Sequence, residues 1–254
     1  MNTKTDYIAV FDSGVGGISV LRHLRRELPD ERFLYFGDSA NAPYGTRPTA
    51  EIRELTLAAA EKLVDRGLKA LVVACNTATA AAIEDLRKRY PDLIVIGIEP
   101  ALKPASDRFP GGTVGVMATP ATLREEKFAR LLHRFSDHCQ VVKLSAAGLV
   151  ELVEAGKGNG AEAEALLRPL LEPYRGKLNA VVLGCTHYPF AAETISRLLG
   201  PETVLLEGGP GTARETKRRL AAAGLLYDGP GELMMENSLN CARTAQLCRS
   251  LLEG

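Results

Sequence analysis

Short apolar runs and amphipathic stretches alternate along this 254-residue chain. Eight runs read as strands: residues 7–11, 32–36, 70–73, 93–96, 113–117, 140–144, 180–183 and 204–206. Most carry apolar side chains at consecutive positions, as parallel strands do when helices cover both faces. Between them the period changes. Ile18, Leu21, Leu24 and Leu28 recur at helical spacing, and so do Phe128, Leu131, Leu132 and Phe135. An Ala- and Glu-rich stretch over 50–66 predicts a helix with Thr49 as its N-cap. Helices are also expected over 79–90 and 189–199, and Leu239, Leu247, Leu251 and Leu252 predict an amphipathic helix that closes the chain. This βαβα order predicts an α/β fold of mainly parallel sheets flanked by helices.

Two turn-rich breaks, Gly97-Ile98-Glu99-Pro100 and Glu207-Gly208-Gly209-Pro210-Gly211, divide the pattern. They predict one lobe of residues 1–97 and a second of 98–207, with 208–254 returning to the first because it is too short to fold alone. The lobes echo each other. Leu71-Val72-Val73-Ala74-Cys75 and Val181-Val182-Leu183-Gly184-Cys185 end in cysteines separated by 185 − 75 = 110 positions. Arg66-Gly67 and Arg175-Gly176 precede the two runs. One thiol per half, at equivalent strand ends, suits a chemistry that needs two similar bases on opposite sides of one carbon. Stereoinversion at a carbon acid is such a chemistry.

Composition narrows the alternatives. With 31 basic and 31 acidic residues the formal net charge is zero, which argues against a broad nucleic-acid or anionic-membrane surface. No apolar run reaches the length of a membrane span, and the opening Met-Asn-Thr-Lys-Thr-Asp lacks a signal-peptide core. Five cysteines without regular spacing do not form a disulfide framework, so a reducing cytoplasm is the expected location. Cys241 and Cys248, seven apart on the expected last helix, share a face but have no histidine partners for zinc, so no metal is expected. Cys139 has no helix-start setting either.

Ligands of open α/β sheets bind at the carboxyl ends of strands. Four loops there are rich in small polar residues. In Asp12-Ser13-Gly14-Val15-Gly16-Gly17 the glycines allow backbone N–H groups close to an anion, but Ser19 stands where a dinucleotide fingerprint needs its third glycine. The loop Gly37-Asp38-Ser39-Ala40-Asn41-Ala42-Pro43-Tyr44-Gly45 is long enough to be functional, with Tyr44 positioned to close over a ligand. The other two loops carry Cys75 and Cys185 before expected helices, where a helix N-terminus favours thiolate. His187, two residues after Cys185, is a base, a donor or a structural hydrogen-bonder, whereas His23, His133 and His138 read as solvated. A cysteine hydrolase using Cys185 and His187 remains open, but it leaves Cys75 without a task and lacks an evident third member to orient the histidine. A bilobal binding protein would need neither thiol.

These four loops, with Ala74-Cys75-Asn76-Thr77-Ala78-Thr79 and Gly184-Cys185-Thr186-His187-Tyr188-Pro189, resemble those of the glutamate racemases in the aspartate/glutamate racemase superfamily. The resemblance spans nearly the whole chain. It implies two pseudo-symmetric α/β lobes with glutamate between them, interconversion of L- and D-glutamate without a cofactor, and supply of D-glutamate for peptidoglycan. By resemblance Cys75 and Cys185 are the two acid/base residues, Asp12 assists the first and His187 the second. Ser13, Asn76, Thr77 and Thr186 would hold the carboxylates and amine, Pro43, Tyr44 and Gly45 would line the site, and Thr119 and Thr122 fill the family's threonine positions. Glu154 matches an acidic position near the mouth. A homodimer is among the assemblies open to it, and an aspartate-specific racemase is the nearest rival. Three segments depart from the family: Pro120-Ala121 stiffens a turn, Glu207-Gly208-Gly209 replaces Asp-Ser-Gly, and Leu233-Met234-Met235-Glu236-Asn237-Ser238 replaces an aromatic-Thr-Ser segment.

Overall fold

The computed structural model describes residues 3–135 and 138–254. Its first half runs β1 (Tyr7–Asp12), α1 (Ile18–Glu27), β2 (Arg32–Gly37), α2 (Thr49–Val64), β3 (Leu68–Val73), α3 (Asn76–Arg89) and β4 (Ile94–Gly97). The second half runs α4 (Leu102–Arg108), β5 (Thr113–Ala118), α5 (Pro120–Arg124), α6 (Glu126–His133), β6 (Gln140–Ser145), α7 (Leu149–Glu154), α8 (Ala161–Leu171), β7 (Ala180–Leu183), α9 (Ala192–Leu199) and β8 (Val204–Glu207). The chain closes with α10 (Gly209–Ala222), β9 (Glu232–Asn237) and α11 (Ala242–Glu253). Two sheets result, of order β4-β3-β1-β2-β9 and β6-β5-β7-β8, and every pairing is parallel.

The strand period of two sorts side chains into layers. Ile8 and Val10 of β1 join Ala70 and Val72 of β3 in a core under α1 and α10, while Ala9 and Phe11 join Leu71 and Val73 in a core under α2 and α3. The second sheet repeats this, with Val181 and Leu183 on one side and Val182 on the other. Consecutive apolar runs are therefore what both sheets require.

The tail holds a strand that the hydrophobic pattern did not predict. β9 pairs with β2, from Arg32↔Glu232 to Gly37↔Asn237. Its residues, Glu-Leu-Met-Met-Glu-Asn, include no β-branched side chain, so this edge strand is recruited by its neighbour. A buried ion pair fastens the same tail. Lys69 Nζ lies 2.5 Å from Glu31 Oε2 and donates to the Leu225 carbonyl, while Glu31 Oε1 accepts the Tyr227 N–H.

Other local expectations shift. Pro48 is the N-cap of α2, and the Thr49 hydroxyl instead bonds Glu125. Leu239 lies before α11 and is half-exposed, while Cys241 caps the helix in solvent and Cys248 is buried. The stiff turn at Pro120 is a helix start: Thr119 is the N-cap, its hydroxyl accepting the Thr122 N–H, with Pro120 in the first turn. His23 is not solvated. It is half-buried and its Nε2 lies 3.0 Å from Glu207 Oε1. A Cβ on Gly208 would fall 2.4 Å from the Glu99 carbonyl, where the two inter-lobe crossings touch, and one on Gly209 would fall 2.5 Å from the His23 ring.

Candidate active site

The carboxyl ends of both sheets meet. From the first lobe come Asp12 to Gly17 after β1, Asp38 to Gly45 after β2, and Cys75 to Thr77 after β3. From the second come Thr119 after β5, Glu154 at the end of α7, and Cys185 to His187 after β7. The glycine loop is shaped by close approach, a tighter demand than the strand–helix turn alone. A Cβ on Gly14 would collide with the Glu154 carboxylate, and one on Gly16 would lie 2.3 Å from the His187 ring. These glycines let the second lobe's acid and imidazole reach the first lobe.

Cys75 is the N-cap of α3. Its sulfur accepts the Ala78 N–H at 3.4 Å and lies 3.3 Å from the Ser13 hydroxyl. Burial, reinforced by the Asp12 charge, pushes its pKa up to about 12 despite those two hydrogen bonds. Asp12 does not hydrogen-bond Cys75 directly. Its carboxylate accepts the Gly14 N–H at 2.9 Å and the Thr186 hydroxyl at 2.9 Å, so it ties the two lobes and acts on Cys75 through its charge. Burial raises the Asp12 pKa, against the lowering effect of His187 and of these donors.

Cys185 has a different partner. Its sulfur lies 3.8 Å from His187 Nδ1, and His187 Nε2 lies 2.7 Å from Glu154 Oε1. The third member missing from the sequence reading is therefore Glu154. Burial alone would depress the His187 pKa, but the bonds to Cys185 and Glu154 outweigh it and hold it well above 6.5. Burial likewise opposes ionisation of Glu154, yet His187, the Val15 N–H and Ser39 lower its pKa overall. An imidazolium with Nε2–H on the carboxylate then directs Nδ1–H at the Cys185 sulfur.

Hydrogen-bonding groups from both lobes gather at the same strand ends. The hydroxyls of Thr77, Thr119 and Thr122 lie 3.0–3.1 Å from one another. Asn76 is buried, and its Oδ1 has no hydrogen-bond partner. A buried orphan acceptor of this kind fits an N–H donor supplied by a ligand. Ser13 and Thr186 are both buried at the seam. Gly45 makes the same seam close: a Cβ there would lie 2.7 Å from Thr119 Cβ. Pro43 stays half-exposed beside it. Tyr44 is buried, its ring centroid 6.5 Å from that of Phe11, and its hydroxyl donates to Asp38 at 2.7 Å. Ser19, Ser39 and Asn237 had no role in the sequence reading. Ser19 Oγ lies 2.9 Å from the Thr186 carbonyl, binding the Cys185 loop to α1.

Comparison with known proteins agrees with this geometry. Residues 15–214 match the family model described as Asp/Glu/Hydantoin racemase. A glutamate racemase from Clostridium perfringens is 45% identical over 253 residues, covering 98% of this chain and 97% of that protein. Among solved structures, a glutamate racemase isoform from Bacillus anthracis superposes with a TM-score of 0.89 at 30% identity, covering 99% of this chain and 95% of that one. A glutamate racemase from Francisella tularensis, solved with D-glutamate, gives 0.86 at 28% identity, with coverage of 99% and 95%. Two parallel α/β lobes, a thiol at the matching strand end of each, and a full-length match in sequence and in fold converge on one assignment: the chain belongs to the Asp/Glu/hydantoin racemase family.

Proposed function

We propose that the protein interconverts L- and D-glutamate without a cofactor, using Cys75 and Cys185 as two bases on opposite faces of the substrate's α-carbon. The observation that carries this reading is the unlike charge setting of the two thiols within one buried site. Cys75 keeps its proton in its apolar, acid-flanked setting, while Cys185 sits beside the His187–Glu154 pair. One sulfur must accept a proton while the other delivers one, and unlike surroundings suit two unlike tasks.

The α-hydrogen of an amino acid is a very weak acid, and its carboxylate becomes a dianion as the proton leaves. Donors fixed in advance lower that barrier most. The threonine hydroxyl cluster and the N–H groups opening α3 supply them, and the orphan Asn76 Oδ1 suits the ammonium group. Cys185 takes the α-hydrogen of one enantiomer, Cys75 gives its proton to the opposite face, and the reverse reaction exchanges these tasks. Burial of both sulfurs keeps water from competing. Glutamate is favoured as substrate because the relatives that span the whole chain are glutamate racemases, one of them solved with D-glutamate. D-Glutamate made in the cytoplasm would supply peptidoglycan synthesis. No helix among the described residues is long and apolar enough to cross a membrane.

One observation favours a second reading. Cys185, His187 and Glu154 form a thiol–imidazole–carboxylate chain of the kind a cysteine hydrolase uses. That reading leaves Cys75 idle. Proton NMR of L-glutamate and of L-aspartate in D2O separates them. Loss of the α-proton signal from glutamate, with decay of its circular dichroism and no effect of chelator or carbonyl reagent, is the expected result. Unchanged signals, or activity that returns only with an added cofactor, would overturn it.

A further inference from the structure

The carboxylate that charges His187 is itself held from the far side, by Ser39 of the loop after β2 and Asn237 of β9. Asn237 ends β9 opposite Gly37. Its Oδ1 accepts the Leu239 N–H at 3.0 Å, which fixes the amide and turns Nδ2 toward Ser39 Oγ at 2.9 Å. A hydroxyl has one hydrogen. Since Ser39 accepts from Asn237, its hydrogen is free for one acceptor, and Glu154 Oε2 lies 3.3 Å away. Glu154 Oε1 meanwhile accepts from the Val15 N–H at 2.7 Å and from His187 Nε2 at 2.7 Å. Donation converges on Glu154, from Asn237 through Ser39 on one side and from His187 on the other. The contacts link the turn after β9 to the Cys185 sulfur through Asn237, Ser39, Glu154 and His187.

Ser39 and Asn237 belong to the first lobe's sheet and loops, and Glu154 to the second lobe's α7. The Ser39–Glu154 bond therefore forms only where the lobes meet. We infer that Ser39, aligned by Asn237, is a positioning residue that sets Glu154 against His187 when the lobes come together, and that this chain of contacts readies Cys185. Cys75 has its own partners, Ser13 and the Ala78 N–H, which do not touch this chain. The inference rests on the two-thiol reading above. It adds that the returning C-terminal strand serves one half of the reaction only.

The test uses single-thiol variants and the two enantiomers of β-chloroalanine, with chloride release as the readout. Cys75→Ala, which retains Cys185, and Cys185→Ala, which retains Cys75, should process opposite enantiomers. If they do not, the two-thiol reading itself fails. Given that opposition, adding Ser39→Ala should slow the Cys185-dependent elimination about tenfold, as for a lost hydrogen bond to a charged group. It should leave the Cys75-dependent elimination within about twofold, and that arm also reports an intact fold. Asn237→Ala should act in the same direction with a smaller loss, and Ser39→Thr should restore the rate. In the Cys185-dependent arm, Ser39→Ala should also move the pH limb set by His187 downward. Equal losses in both arms, no loss in either, or failure of both Ser39→Ala and Asn237→Ala to separate the arms would overturn the inference.

Discussion

The two thiol sites occupy the same place in two copies of one architecture, and their chemistry differs. Cys75 caps a 14-residue α-helix with its own sulfur, while Cys185 leads into a short 3-10 turn, Tyr188–Ala191, before α9. Cys75 looks toward the Asp12 carboxylate and is pushed up to about 12. Cys185 looks toward an imidazole held cationic by Glu154. The backbone pseudo-symmetry places two sulfurs, and the side chains around them break it. Two identical thiol environments would treat both sulfurs alike; here burial and the Asp12 charge act on Cys75, and the His187–Glu154 pair stands beside Cys185.

The largest expected effect removes the comparison altogether. Cys75→Ala or Cys185→Ala should each cut racemisation in both directions by about 10⁴-fold, the upper range for loss of an acid–base residue. Polarimetry or circular dichroism with either enantiomer checks it, and a hydrolase would lose activity only with Cys185. His187→Asn should follow, at about 10²-fold or more, with KM changed far less than kcat. Wild-type rates there would reduce His187 to a structural hydrogen-bonder.

Glu154→Gln should slow turnover by about 10- to 100-fold, since it leaves a buried imidazolium without its carboxylate. It also carries a pH signature. His187 is raised above 6.5 in the folded protein, so its charge and the stability it contributes are present below 6.5 and vanish as pH climbs through the raised value. Without the carboxylate that value drops, and activity should fail at lower pH on the alkaline side. Glu154 has the opposite sign. It is held below 4.5, so its share of stability is present above 4.5 and vanishes as pH falls below. Thermal melts of the wild type and of Glu154→Gln should converge in acid.

Two smaller changes sharpen the contrast. Gly16→Ala forces a methyl into the His187 ring, where a Cβ would lie 2.3 Å away, and overpacking of this kind costs about 1–3 kcal/mol. Denaturant midpoints should report it, with Cys185-dependent activity suffering most. Thr122→Val removes one hydroxyl from the Thr77 cluster and should raise KM about fivefold, the equivalent of one ordinary hydrogen bond. Because that cluster serves both enantiomers, the loss should be the same in each direction.

Much of this was legible in the chain. Strands β3 and β7 are apolar runs that end at their cysteines, so the placement of both thiols followed from pattern alone. The four polar loops were readable for the same reason: each follows a strong strand signal. What stayed hidden lies between elements far apart in the chain. The Glu154–His187 pair and the Ser39–Glu154 bond join residues 33 and 115 positions apart, and nothing local marks either. Proline and glycine flank Tyr44 in the chain, but nothing local marks its burial against Phe11 or the Asp38 carboxylate that takes its hydroxyl. β9 was missed because an edge strand built from Glu and Met carries little propensity of its own.

The central claim is that two unlike sulfurs serve opposite faces of one carbon. The most direct measurement is α-proton exchange of pure L-glutamate and pure D-glutamate in D2O, followed by NMR with Cys75→Ala and with Cys185→Ala. The account predicts that each variant exchanges one enantiomer much faster than the other, and that the two variants prefer opposite enantiomers. The same preference in both variants, or racemisation at the wild-type rate without Cys75, would contradict it.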